Sequence, residues 1–222
     1  MNYNIICNAI NASGSKGIHE FDQSRIAKDT DINIKNGVCR ALVIMWLKAK
    51  KQNLEFWKDK GENVTNLPEE YILLSQAVNV QEEYQRAVKL STRFAPDEAT
   101  LDKLKKAGLA YSQDDVLASA QEGFAENRII NEPAKISEHI LNSKSRFYIL
   151  SASGPRGCHS IGIHRPYSLI GKSKNIYIFD PNIGEFEATT SSNVKDLLIT
   201  INTLGYGANV IDGGYILWSY HD

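Results

Sequence analysis

Apolar positions along this chain are isolated at first, then dense with a helical period, then grouped in short alternating runs. Residues 1–30 are rich in Asn, Ser, Lys and Asp with scattered apolar residues, which predicts a flexible leader. The run NGVCRALVIMWLKAKKQ follows, without Gly or Pro after Gly37 and with a lysine cluster at its end that suits a helix C-terminus. It predicts a buried helix beginning near Val38. Leu67, Tyr71, Leu74, Ala77, Val78, Tyr84, Ala87 and Val88 recur at helical intervals, and PDEATLDKLKKAG and EPAKISEHILN each carry helix start and stop signals. From residue 146 the pattern changes to RFYILSA, CHSIGIH, NIYIF and GYILWSY, runs of β-branched and aromatic residues bounded by Gly, Pro, Ser and Asn that predict strands. SSNVKDLLITINTLG, with Val194, Leu197, Leu198 and Ile201 at helical spacing, adds a helix before the last strand. Helices first and a mainly antiparallel sheet afterwards make an α+β layout, with one folded domain expected over residues 31–222.

Composition fits that picture and removes several function classes. At 222 residues with 42% hydrophobic and 23% charged positions, the chain has enough apolar material for one core of ordinary size. A formal net charge of -1 supplies none of the basic excess that drives binding to nucleic acid or anionic membranes. The opening MNYNIICNAINASGSKG lacks the charged start and apolar run of a cleaved export signal, and no stretch reaches the roughly 18 to 20 apolar residues of a membrane span. No integral membrane segment is expected. Cys7, Cys39 and Cys158 form neither a disulfide framework nor a CxxC pair, so one of the free thiols is available for chemistry.

Cys39 is the candidate. It falls in the first turn of the apolar helix, where the helix dipole and unpaired backbone N–H groups favour thiolate over thiol. A cysteine on an apolar helix is by default packing, so the assignment depends on partners. A thiolate nucleophile needs a base, and the base needs a third group to fix its tautomer. The hairpin of CHSIGIH and NIYIFDPN offers both, because symmetric pairing about residues 169–170 sets His159 opposite Asp180 and His164 opposite Asn175. His159 and His164 point to opposite faces of the strand, so only one can look across at Cys39; His159 is chosen and His164 stays open. Cys158 faces away from His159 and reads as packing. Taking Cys158, His159 and His164 as metal ligands is disfavoured by that alternation and by the lack of a further cysteine pair. An oxyanion needs donors, usually the nucleophile's own N–H and a side-chain amide a few residues earlier. Asn33, six residues before Cys39, is the first choice, and Asn36 the second.

Three segments, GVCRALVIMWL around Cys39, CHSIGIH around His159 and IYIFDPNIGEF around Asp180, resemble the YopT-type papain-like cysteine proteases, effectors that bacteria deliver into eukaryotic cells. The resemblance implies a papain-like fold, a Cys39–His159–Asp180 triad, no metal or cofactor, and endopeptidase cleavage of a host protein in the host cytoplasm. It also implies secretion by a route independent of a signal peptide, with a secretion chaperone among the partners; a monomer is expected. Deamidation or acyl transfer on the same triad is the alternative chemistry, and a host-protein-binding effector without turnover is the alternative class. Arg40 stands where a smaller residue is expected and is read as reshaping the cleft. Residues 60–140 are read as governing substrate choice.

Overall fold

The structure, a computed structural model, describes residues 3–12, 14–34, 37–57, 67–90, 98–112, 115, 133–154, 157–168, 171–172, 175–206 and 215–222. In chain order its elements are α1 (Tyr3–Asn11), β1 (Lys16–Glu20), α2 (Gln23–Thr30), α3 (Cys39–Lys51), α4 (Leu67–Leu90), α5 (Glu98–Lys106), β2 (Ala110–Tyr111), α6 (Pro133–Asn142), β3 (Phe147–Gly154), β4 (Gly157–His164), β5 (Tyr167–Ser168), β6 (Gly171–Lys172), β7 (Ile176–Asp180), β8 (Gly184–Ala188), α7 (Ser191–Thr200) with a π-helical turn Ile201–Gly205, and β9 (Tyr215–His221). Seven strands pair in the order β1-β8-β7-β4-β3-β9-β2, every neighbour antiparallel, and β5 and β6 form a separate ribbon. The fold is α+β, as the pattern of elements predicted. Among the described residues no helix is long and apolar enough to cross a membrane.

Strand alternation gives the sheet two buried faces. Tyr148, Leu150, Ile161, Ile163, Ile176, Ile178 and Leu217 face a core completed by α1, α6 and α7. Phe147, Ile149, Phe179 and Tyr220 face a second core completed by α2, α3, α4 and α5. Helix α3 crosses β4 over Gly162, where a Cβ would stand 2.9 Å from the Trp46 ring and 3.2 Å from Val43. That glycine lets the helix lie close to the strand.

The described residues of the first thirty, a segment expected as a flexible leader, are built into this architecture. Ile6 and Ile10, one helical turn apart, are buried under the first core; β1 pairs with β8; Phe21 and Ile26 are buried in the second core. The apolar positions that look scattered in the sequence are the buried stripe of a nine-residue helix and the entries to two short elements. Strand β8 was also hidden, because its five residues GEFEA are all buried, including Glu185 and Glu187. Glu185 accepts from the indole N–H of Trp46 at 3.1 Å and of Trp57 at 2.5 Å, with Lys50 Nζ 2.7 Å from its other oxygen.

The β4–β7 register departs from the symmetric hairpin. His164 pairs with Tyr177 and Gly162 with Phe179, two residues away from the expected alignment. The β5–β6 ribbon is centred at 169–170 as expected, but between the Tyr167–Lys172 and His164–Tyr177 pairs the chain has two residues on one side and four on the other. An offset of two preserves the face of every side chain, so the cores are unaffected.

Candidate active site

The segment into α3 turns at Gly37, whose φ of 67° suits glycine and whose N–H donates to the Ile34 carbonyl at 2.7 Å. Cys39 is the first residue of the helix, and the Val38 cap position contributes no side-chain hydrogen bond. A glutamine from another helix does so instead: Gln81 of α4 is buried and its Oε1 accepts the Ala41 N–H at 3.3 Å. Cys39, half-buried, is hydrogen-bonded to the His159 side chain and to the Ser160 backbone.

His159 sits in the first half of β4 and is buried, with Nε2 3.1 Å from Asp180 Oδ1. That leaves Nδ1 as the ring nitrogen for the thiol. Asp180 ends β7, is fully buried, and accepts the Asn182 backbone N–H at 2.9 Å. The electrostatics follow from this packing. Burial alone would lower the imidazole's pKa, but the Asp180 charge and hydrogen bond, then Cys39, push it up to about 10. Burial alone would likewise raise the thiol, but the His159 hydrogen bond and charge, the Ser160 backbone and the Arg40 guanidinium bring it below its ordinary value.

Cys39, His159 and Asp180 therefore stand together. His164 does not join them. It shares its face with Gly162 and so looks towards α3, but lies five residues further along β4, about 16 Å at strand rise. There it stacks on Phe147 at 4.7 Å and Tyr177 at 6.4 Å. Burial, then Lys50 and Arg146, lower its pKa to about 3, so it is held neutral. The two histidines stand on opposite faces of β4, and position along the strand decides between them: His159 is at the end nearest the start of α3 and His164 at the end nearest Lys50. Arg40 spans to β3, donating from Nη2 to Ser151 Oγ at 2.8 Å. Asn33 is exposed on the segment before Gly37; Asn36 and the side chain of Cys158 lie outside the described residues.

A fourth residue was not anticipated. Tyr206, directly after the π-helical turn, places its hydroxyl 2.6 Å from His159 Nε2 and 2.7 and 2.9 Å from the two oxygens of Asp180. It receives the Asn182 Nδ2–H at 3.1 Å. A tyrosine between two glycines carries no sequence signal for such a role.

A helix-borne thiol facing a sheet-borne imidazole and a buried carboxylate is the layout of a papain-like cysteine protease, and the chain is an enzyme of that class. The model of the Peptidase C58 family, described as Yersinia/Haemophilus virulence surface antigen, matches residues 12–201, and the chain belongs to that family. The match takes in β1 and α2, so these elements are part of the family's domain. Among solved structures the chain is similar to the crystal structure of the Pseudomonas avirulence protein AvrPphB, with 16% identity and a TM-score of 0.49 over 83% of this chain and 91% of that one. No curated protein matches the chain.

Proposed function

We propose that the protein is an endopeptidase effector that is delivered into a eukaryotic host cell and cuts a host protein, with Cys39 as nucleophile, His159 as general acid and base, and Asp180 as the group that orients it. The observation that carries this reading is the hydrogen-bonded sequence Cys39–His159–Asp180, assembled from α3, β4 and β7. The Cys39 sulfur attacks the scissile carbonyl, forming a C–S bond and a tetrahedral oxyanion. Collapse breaks the C–N bond as His159 gives its proton to the leaving amine, and His159 then takes a proton from the water that hydrolyses the thioester. The backbone N–H of Cys39 and the amide of Asn33 are the proposed oxyanion donors.

The family's description as a virulence antigen supports a host protein as substrate, and the net charge of -1 argues against nucleic acid. Export without a cleaved signal peptide, a secretion chaperone, action in the host cytoplasm and a monomeric state complete the reading.

The test is a search for new protein N-termini in eukaryotic lysate treated with the protein or with Cys39→Ala. Termini that depend on the thiol establish the endopeptidase and give its cleavage motif. Identical samples from a folded, thiol-reactive protein would replace proteolysis by deamidation or acyl transfer. An effect on a host protein that survives Cys39→Ala would leave only binding.

A further inference from the structure

We infer that Tyr206 is a positioning residue of the proteolytic reaction, its hydroxyl joining His159 and Asp180 into one unit. The inference rests on the Cys39–His159–Asp180 reading above. A phenol has one O–H to donate and two lone pairs to accept with, and here all three are used. The O–H donates to Asp180, 2.7 Å from Oδ1 and 2.9 Å from Oδ2. One lone pair accepts the Asn182 Nδ2–H at 3.1 Å, and with the ring protonated at Nε2 the other accepts from His159 at 2.6 Å. The direct His159–Asp180 contact is longer, at 3.1 Å. The imidazole is thus held by the carboxylate both directly and through the phenol.

The hydroxyl is itself fixed. Asn182 accepts from Gln23 Nε2 at 2.6 Å, and Gln23, the first residue of α2, donates its backbone N–H to the Pro181 carbonyl at 3.0 Å. Gln23, Asn182 and Tyr206 donate in one direction, ending on Asp180, so each bond polarises the next. The groups that face the phenol are His159 and Asp180, with the Cys39 charge acting at longer range. Burial, then the Asp180 charge, hold the phenol well above its ordinary pKa, so it stays a donor at any working pH.

The backbone explains how a residue so far along the chain arrives there. Ile201 is buried in the core that α7 shares with the sheet. In an α-helix the next residue on that face would be at i+4, which is Gly205. The π-helical turn Ile201–Gly205 adds one residue to the turn, and Tyr206, at i+5, packs against the same core as Ile201. Isolated π turns of this kind are frequently found at functional sites.

The test is the alkylation rate of Cys39 by iodoacetamide, read by mass spectrometry on its own peptide, between about pH 4 and 10 for the wild type, Tyr206→Phe and His159→Ala. The wild-type rate should rise well below the ordinary thiol range. In Tyr206→Phe the imidazolium loses one of two acceptors, so the midpoint should move up by about one pH unit and the rate in weak acid fall about tenfold. A profile that overlays the wild type, or moves down because Asp180 is freed of a donor, overturns the inference and leaves the triad intact. A wild-type profile of an ordinary thiol, unchanged in His159→Ala, would instead remove the triad and the inference with it. If Tyr206→Phe does not fold, Asn182→Ala, which removes the donor that anchors the phenol, should give a smaller shift in the same direction; no shift there counts against the inference equally.

Discussion

Thiol and imidazole at this site have exchanged their usual order of acidity. Cys39 is below its ordinary value and His159 is near 10, above the ordinary thiol value of about 8.5, so the resting pair is thiolate and imidazolium. On the proposed triad, activity needs the thiol ionised and the imidazole still protonated. The expected profile of kcat/KM against pH is a bell whose acid limb lies below the ordinary thiol range and whose alkaline limb lies near 10. In Asp180→Asn the alkaline limb should fall towards the usual histidine range, with a loss of activity of about 100-fold or more. His164 acts on stability instead. Its folded pKa of about 3 lies below its unfolded value, so between the two the unfolded chain binds the extra proton. Its cost is absent above about pH 6.5 and grows as pH falls towards 3, by at most about 1.4 kcal/mol per pH unit. Urea titrations across that range should show a shallower acid decline for His164→Phe than for the wild type.

Two glycines govern how α3 presents the thiol, for different reasons. At Gly37 an added Cβ meets nothing within 4 Å, so Gly37→Ala costs only the left-handed backbone, about 1 kcal/mol, and Gly37→Asn should cost less. At Gly162 the backbone is ordinary and the contact is tight, so Gly162→Ala should cost about 1–3 kcal/mol by overpacking. Because it pushes α3 from β4, Gly162→Ala should also lower kcat, whereas the Gly37 variants should show most of their effect in thermal unfolding. Helix α3 and the strands around residues 147–180 were legible in the sequence because each is long enough for its own period to show. What escaped is set by neighbours. The register of β4 on β7 depends on an unequal residue count between two strand pairs, the burial of Glu185 depends on indoles from elsewhere, and the reach of Tyr206 depends on one extra residue in a helical turn. None of these has a local signature, whereas Cys39, His159 and Asp180 lie near element ends that the local pattern marks, and an error of two in register left their faces unchanged.

The molecule places its site where two separately packed layers meet across one sheet. Cys39 is carried by a helix of one core, and Tyr206 follows a helix of the other, with His159 and Asp180 on the strands between. Helices α1 and α2 with Phe21 serve both layers, so removing residues 1–22 should abolish cooperative thermal unfolding, where loss of a flexible leader would leave it unchanged. Even Ile6→Ala or Ile10→Ala should cost about 2–5 kcal/mol. With only one layer closed the reactive groups would be present without their arrangement, so the thiol should keep an ordinary acidity and the histidine an ordinary basicity. The sheet therefore behaves as a lock with two keys, and the thiol should become reactive only as both cores close on it.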